Sequence, residues 1–173
     1  GRVAVLPPAD LNVTFASATS QYLYDVQSYV TTRSPSQNIG DLGKQISSQF
    51  NLKGAVHRPL ISIVTVGEIW ALADQFSFGE GKLDILGNVL ETLVILDINH
   101  ESVLDAYVEV DRACRNAKGG ARILSKNDLW IAATTKAAGA VLVTTDKDFL
   151  CLHPEPCPVH YIDPIVPKKG EPA

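Results

Sequence analysis

The stretch of residues 125–149 constrains the fold most, because it combines a capped helix, a glycine stop and a buried strand. Ser125 and Asp128 have the spacing of a capping box, in which a hydroxyl and a carboxylate close the first turn of a helix. Apolar residues and alanines continue this helix until a glycine can end it. The run from Val141 to Val143 is typical of a parallel strand covered on both faces. The stretch therefore predicts a parallel α/β unit that delivers Asp146 at the carboxyl end of its strand, where such sheets bind ligands.

Length and composition limit what can be built around this unit. A chain of 173 residues that is 46% hydrophobic can form one domain with a full core, and is too short for two ordinary domains. We expect an extension at residues 1–21, the main domain at 22–162 and a proline-rich tail at 163–173. The formal net charge of −4 argues against a stand-alone nucleic-acid binder. Three cysteines do not form a disulfide framework, and no apolar run could span a membrane, so we expect a cytoplasmic protein.

Strand and helix patterns alternate along the main domain. A short aromatic run ends in Asp25, and a β-branched run is followed by a second capping-box spacing at Thr65 and Glu68. The other expected elements are helices at 26–32, 36–50, 80–92 and 102–116, and strands at 94–98 and 159–162. This alternation predicts an α/β protein, a three-layer α/β/α sandwich around a parallel sheet.

Four acids end strands or begin helices in this pattern: Asp25, Glu68, Asp128 and Asp146. In a doubly wound sheet such positions can converge at one edge. Clustered carboxylates repel one another unless a cation compensates, so the cluster predicts a hard divalent metal, Mg²⁺ or Mn²⁺. Two such ions can activate a water and stabilise the leaving oxygen of a phosphodiester. The predicted reaction class is metal-assisted hydrolysis.

Each acid also has a purely structural interpretation. Glu68 and Asp128 could be only the acids of capping boxes. Asp146 could merely cap the turn that contains Asp148, and Asp25 could be an ordinary loop aspartate. The joint placement of the four acids, rather than any single one, favours a metal site.

Four segments resemble the acidic motifs of the PIN-domain ribonucleases, and most closely those of VapC-type toxins from toxin–antitoxin modules. They are Tyr22–Asp25, Ser62–Glu68, Asn127–Thr134 and Leu142–Phe149, in the order that the family has. The last two segments are specific to the family and the first is loose. The resemblance covers residues 22–162.

The resemblance implies an endoribonuclease that uses one or two Mg²⁺ or Mn²⁺ ions, in a PIN-like fold that forms a homodimer and binds a small antitoxin. It assigns the metal-holding and catalytic roles to the four acids named above. Glu68 would serve as a ligand or as the group that orients and deprotonates the attacking water. Three further residues, Ser28, Thr145 and Asp148, would support the ligands.

Four basic residues are candidate contacts to RNA phosphates: Lys53, Arg58, Lys126 and Lys147. One departure from the family concerns the first acid, which the family usually follows with threonine and a small polar residue. This chain has Val26 and Gln27 there, which puts one contact near the metal in doubt.

Other functions stay open on the sequence alone. The altered first motif allows a PIN fold without catalysis that serves as a scaffold for RNA or protein. Receiver-type phosphotransfer folds also cluster acids at strand ends, but they have no use for the Asp128 helix. Four soft ligand types near the carboxyl end, Cys151, His153, Cys157 and His160, could surround zinc, although their spacing matches no common finger.

Overall fold

The computed structural model describes residues 5–6, 22–25, 58–117 and 123–163. The helices expected at 26–32 and 36–50, with Ser28 and Lys53, lie outside these residues. The elements in chain order are β1 (Val5–Leu6), β2 (Tyr22–Tyr24), β3 (Leu60–Ser62), α1 (Ile63–Gln75), α2 (Glu80–Glu91), β4 (Val94–Leu96), α3 (Glu101–Arg115), α4 (Lys126–Ala137), β5 (Val141–Thr144), a 3₁₀ helix (Lys147–Leu152) and β6 (Val159–Tyr161).

The described strands form one six-stranded sheet in the order β1-β4-β3-β2-β5-β6. Every neighbouring pair is parallel, as the alternating pattern predicted. β2 lies between β3 and β5, and Tyr24 is in register with Val143. The residues that follow β2 and β5 therefore leave the same edge of the sheet side by side.

Successive residues of the inner strands point to opposite faces, as the two-residue period of a strand requires. Leu60 and Leu96 enter a core with residues of α3 and α4, whereas Ile61 and Ile95 enter a second core with residues of α1 and α2. Each of these four side chains is at most 1% exposed, and burial of such a side chain contributes about 1.5–3 kcal/mol. Helices thus cover both faces, which confirms the α/β/α sandwich.

The amino end contributes a strand to this sheet. β1 lies within the segment expected to be an extension, and it pairs with β4 at the margin of the sheet. The boundaries proposed at residues 21 and 162 stay predictions.

The start of α1 differs from the sequence expectation. Ser62, not Thr65, is the N-cap, and its Oγ accepts a hydrogen bond of 3.2 Å from the Val64 backbone N–H. The predicted capping box at Thr65 and Glu68 was therefore wrong, because Ser62 already supplies a cap at the end of β3. Glu68 consequently lies in the second turn of α1, where it has no capping role.

The helix that was predicted to begin after Ser125 is confirmed. Ser125 caps α4, and a full capping box with Asp128 is present. Gly139 has φ of 61°, a left-handed conformation that favours glycine, and it reverses the chain towards β5. Among the described helices, none combines the length and apolarity needed to cross a lipid bilayer.

A candidate metal centre at the carboxyl edge of the sheet

Asp25 occupies the centre of the edge at which the parallel strands end. It directly follows β2, its side chain is 4% exposed, and its backbone N–H donates to the Val143 carbonyl at 3.0 Å. Its Oδ2 accepts a hydrogen bond of 2.8 Å from the hydroxyl of Thr144, which is fully buried. This pairing fixes the carboxylate against the end of β5.

Asp146 is held beside Asp25 through the same hydroxyl. Thr144 Oγ1 accepts from the Asp146 backbone N–H at 3.0 Å while it donates to Asp25. Asp146 Oδ1 in turn accepts from the Asp148 backbone N–H at 2.8 Å and caps the 3₁₀ helix. The capping interpretation of Asp146 is therefore correct, but the bond uses only one of its two carboxylate oxygens.

Asp128 approaches these residues from the first turn of α4. Its Oδ2 accepts from the Ser125 backbone N–H at 3.2 Å, and its own N–H donates to Ser125 Oγ at 3.2 Å. Burial raises the pKa of Asp128, and the negative charges of Asp146 and Asp148 raise it further, against the hydrogen bonds from Ser125. The charges of Asp146 and Asp148 thus reach Asp128, so α4 and the segment after β5 bring these acids close together.

Glu68 completes the group from α1. Its Oε1 accepts a short hydrogen bond of 2.6 Å from Asn127 Nδ2, 59 positions later in the sequence. Its Oε2 is buried and has no hydrogen-bond partner among the described residues. Burial raises the pKa of Glu68 and the charge of Asp128 adds to this, while the bond from Asn127 opposes it.

Asn127 is a site residue that the sequence reasoning missed. It was part of the motif that resembled the family, but it received no role. The signal that could have revealed it is its position as a polar residue directly before Asp128 in the first turn of α4. Its partner on α1 could be found only from the tertiary structure.

A divalent cation fits the chemistry of this group. Among the described residues, Glu68, Asp128 and Asp146 form no ion pair with lysine or arginine. Desolvated carboxylates that repel one another need positive charge, and hard cations take oxygen ligands. The buried, unbonded Oε2 of Glu68 is an oxygen that a cation would satisfy. The side chains do not form a closed cage, since the described residues contain no group of three or more His, Cys, Asp or Glu in metal-binding geometry.

The basic residues predicted to contact RNA lie in different places. Lys126 begins α4 and is exposed, and Lys147 lies between Asp146 and Asp148 with its Nζ 5.6 Å from the Tyr161 ring centre. Both lie at the acidic edge of the sheet. Thr145 is half-buried in the loop between β5 and the 3₁₀ helix.

Arg58 lies at the opposite edge of the sheet, before β3 begins, and its contact with RNA phosphates stays a prediction. Its guanidinium donates to the carbonyls of Thr92 at 2.8 Å and Leu93 at 2.6 Å, and also to that of Glu91. These carbonyls belong to the end of α2 and the turn before β4. Arg58 is therefore a helix C-terminal contact, as its charge and fork-like donors favour.

The zinc alternative near the carboxyl end gains no support from the contacts there. Cys157 is buried, which raises its pKa to about 12 and disfavours the thiolate that zinc requires. His153 Nδ1 accepts from the Val159 backbone N–H at 3.1 Å, and Cys151 faces Cys114 instead. The described part of this segment holds no metal-binding group.

A sequence model of the PIN-domain family matches residues 43–151, more than half of the chain. The chain belongs to the PIN-domain family. The matched range contains Glu68, Asp128 and Asp146 and begins after Asp25. The position of Asp25 at the edge is therefore known from the structure of this PIN domain rather than from the family match. No curated protein matches the chain significantly.

Solved structures with a similar fold include three VapBC structures. The DNA-bound VapBC from Salmonella typhimurium is 21% identical over 83% of this chain and 98% of the matched chain, with a TM-score of 0.62. VapBC-1 from nontypeable Haemophilus influenzae is 20% identical over 82% and 96%, with a TM-score of 0.59. VapBC2 from Rickettsia felis, bound to a promoter DNA fragment, is 20% identical over 81% and 97%, with a TM-score of 0.57. At this level of identity, the likeness establishes a shared PIN fold.

Proposed function

We propose that this PIN-domain protein is a divalent-metal-dependent endoribonuclease of the VapC toxin type, neutralised by a cognate antitoxin. The observation that carries the proposal is the convergence of Glu68, Asp128 and Asp146 near the buried Asp25 at one sheet edge, where Glu68 Oε2 has no hydrogen-bond partner among the described residues. These acids come from four separated parts of the sequence. Carboxylates that served only to cap helices and turns would not need to lie close to one another.

In the proposed mechanism, Asp25, Asp128 and Asp146 would hold one or two Mg²⁺ or Mn²⁺ ions. When bound, such ions supply positive charge that lowers the pKa of water and stabilises the oxygens of a phosphodiester. Each acid is already oriented by a hydrogen bond to protein, from Thr144, Ser125 or the Asp148 backbone. Ligands oriented in this way need little rearrangement on binding.

Glu68 has the properties of the residue that orients water. Asn127 fixes one oxygen of the carboxylate and leaves Oε2 to accept a proton from water or to bind the metal. Burial raises the pKa of Glu68 above its usual acidic value. A general base works best when its pKa lies near the operating pH, so this direction suits the proposed role. Attack by water would leave a 5′-phosphate and a 3′-hydroxyl, as the family resemblance implies. Lys126 and Lys147 would hold RNA phosphates beside the acids.

The decisive experiment measures cleavage of an end-labelled RNA pool with Mg²⁺ or Mn²⁺ and with EDTA. We expect cleavage to require the metal and to disappear in Asp25→Asn and Asp128→Asn, both in folded protein. Asp111→Asn is the matched control, because Asp111 pairs with Arg115 on the surface of α3. Cleavage that persists in EDTA or in either site variant would reject the metal mechanism, and products with a 2′,3′-cyclic phosphate would do the same.

A titration with metal ions distinguishes the proposed nuclease from a PIN fold that serves as a scaffold without catalysis. Ligands that bind only the native state raise its melting temperature. A metal-binding PIN domain should therefore be stabilised by Mn²⁺, and this shift should vanish in Asp128→Asn. No shift together with no RNA cleavage would favour the scaffold.

The proposed antitoxin is supported by the similar structures, which include the VapBC and FitAB structures and a toxin–antitoxin complex from Klebsiella pneumoniae. An open groove of about 540 Å³ between α1 and α2 offers a surface for such a partner. Trp70, 40% exposed, and Ile63 give it apolar walls, and Asp84 and Glu91 line it with negative charge. We expect the product of a neighbouring reading frame to co-purify with this protein and inhibit RNA cleavage. Trp70→Glu should weaken both effects, and unchanged inhibition would exclude this groove.

The proposal also includes a homodimer, which the family resemblance implies. Sedimentation analysis of the purified protein at several concentrations tests it directly. A single species of monomer mass at every concentration would exclude the dimer.

A further inference from the structure

Two thiols from distant parts of the sequence face each other between α3 and the 3₁₀ helix. Cys114 lies in the last turn of α3, is 2% exposed, and has its Sγ 3.7 Å from the Sγ of Cys151 in the 3₁₀ helix. Cys151 is partly exposed, and both cysteines are free. The third cysteine, Cys157, is buried and donates instead towards the Pro158 carbonyl. The first two cysteines are therefore arranged as a pair.

We propose that Cys114 and Cys151 form a reversible oxidation site, which a peroxide converts into a disulfide. The two thiols together lose two protons and two electrons, and one S–S bond forms. Hydrogen peroxide accepts the two protons and the two electrons, its O–O bond breaks, and two molecules of water result. The sulfur atoms must approach from 3.7 Å to about 2 Å. This approach of about 1.7 Å requires rotation of the two side chains or a shift of the 3₁₀ helix.

The different surroundings of the two thiols set the order of the steps. Cys151 is the accessible one, so peroxide oxidises it first to a sulfenic acid and releases one water. Cys114 then attacks the sulfenic sulfur, and the second water leaves. Burial and the neighbouring Cys151 raise the pKa of Cys114 to about 12, which makes this second step the slower one.

The disulfide would act on the acids through the 3₁₀ helix. Cys151 Sγ donates to the Asp148 carbonyl at 3.1 Å, and the helix begins directly after Asp146, its N-cap. Oxidation removes this S–H donor and draws the helix towards α3. Asp146 and Asp148 should therefore move relative to Asp128. This consequence for activity rests on the proposed nuclease function, whereas formation of the disulfide does not.

The test treats the native protein with hydrogen peroxide, blocks free thiols and identifies cross-linked peptides by mass spectrometry. We expect a mass loss of two hydrogens and a peptide pair that joins Cys114 to Cys151, both reversed by dithiothreitol. Cys157→Ala is the matched control and should form the same link. Cys151→Ser should form none, and Cys114→Ala should accumulate a sulfenic acid on Cys151 that dimedone traps.

A link that involves Cys157, or a link that forms only in denaturant, would overturn the proposal. So would over-oxidation of Cys151 with no link to Cys114. RNA cleavage is then measured on the dithiol and the disulfide forms of the protein. We expect slower cleavage by the disulfide form, and recovery of the rate after treatment with dithiothreitol. An unchanged rate in the disulfide form would refute the coupling to the acids. Absence of cleavage in the reduced protein as well would refute the nuclease function and leave the mass result to decide the oxidation site.

Discussion

Thr144 Oγ1 donates a hydrogen bond of 2.8 Å to Asp25 Oδ2, across 119 positions of the sequence. The same hydroxyl accepts from the Asp146 backbone N–H, so one buried threonine aligns the ends of β2 and β5. Neither role is visible in the sequence, where Thr144 is simply the last residue of an apolar strand. The first prediction follows from this bond.

Thr144→Val should destabilise the fold and impair metal binding together. The substitution leaves a buried carboxylate oxygen without this donor, a loss that typically costs about 1–3 kcal/mol of unfolding free energy. Urea unfolding measures the loss, and the rise in melting temperature on adding Mn²⁺ should shrink. Thr135→Val is the control, because this buried threonine donates to the Ile131 carbonyl within α4, not to an acid. An equal loss of the Mn²⁺ effect in the control would contradict a specific role for Thr144.

Asn127→Ala should reduce RNA cleavage by about 10–100-fold, the usual effect of removing a residue that orients a metal ligand. The substitution removes the 2.6 Å bond to Glu68 Oε1 and leaves the carboxylate free to rotate. Because Asn127 acts through Glu68, the pH profile of cleavage should shift as well as the rate. Asn88→Ala on α2 serves as the control and should keep the wild-type cleavage rate and pH profile. A variant with the wild-type rate and profile would remove Asn127 from the site.

Asp128→Asn should cost activity far more than stability. An amide oxygen can still accept from the Ser125 backbone N–H, so the capping box is preserved and a repelling charge is removed. We expect unfolding free energy to stay within about 1 kcal/mol of the wild type, whereas Asp128→Ala, which loses the cap, should lose about 1 kcal/mol more. Thermal and urea unfolding of the two variants tests this order. A large loss of stability in Asp128→Asn would mean that the residue is mainly structural.

The raised pKa values of Glu68 and Asp128 predict a distinctive pH dependence in metal-free protein. Because the folded state binds protons to these groups more tightly than the unfolded state, their contribution to stability is full below about pH 4. This contribution to stability is lost as the pH rises through the raised pKa values of the folded state. In EDTA, the stability of the wild type relative to Glu68→Gln should therefore fall as the pH rises above about 4. Saturating Mn²⁺ should abolish this fall, and a constant difference would contradict the prediction.

Arg58→Ala should lower stability without affecting RNA binding. Its guanidinium satisfies carbonyls at the end of α2, and because the residue is exposed we expect a loss of about 1 kcal/mol. RNA affinity, measured by filter binding at fixed salt in EDTA, should not change, in contrast to Lys147→Ala at the acidic edge. A weaker affinity in Arg58→Ala would show that this residue contacts RNA.

Local patterns predicted the elements because their determinants lie close together in the sequence. The capping box at Ser125, the glycine at 139 and the apolar run of β5 each depend on neighbours within a few residues. The same reasoning failed at Thr65, since two nearby residues could both cap a helix and only packing chose Ser62. The fold could be predicted from alternation, whereas the exact start of α1 could not.

The sequence by itself determined the parallel α/β architecture and placed Asp25, Asp128 and Asp146 at element ends, because hydrophobic period and chain order fix which ends share an edge. Only the tertiary structure decided how those acids are held: Thr144 against Asp25, Asn127 against Glu68, and Arg58 at the far edge. It also paired Cys114 with Cys151. These contacts join residues 34 to 119 positions apart, and no local pattern encodes them, because their geometry exists only once the sheet and its helices have packed.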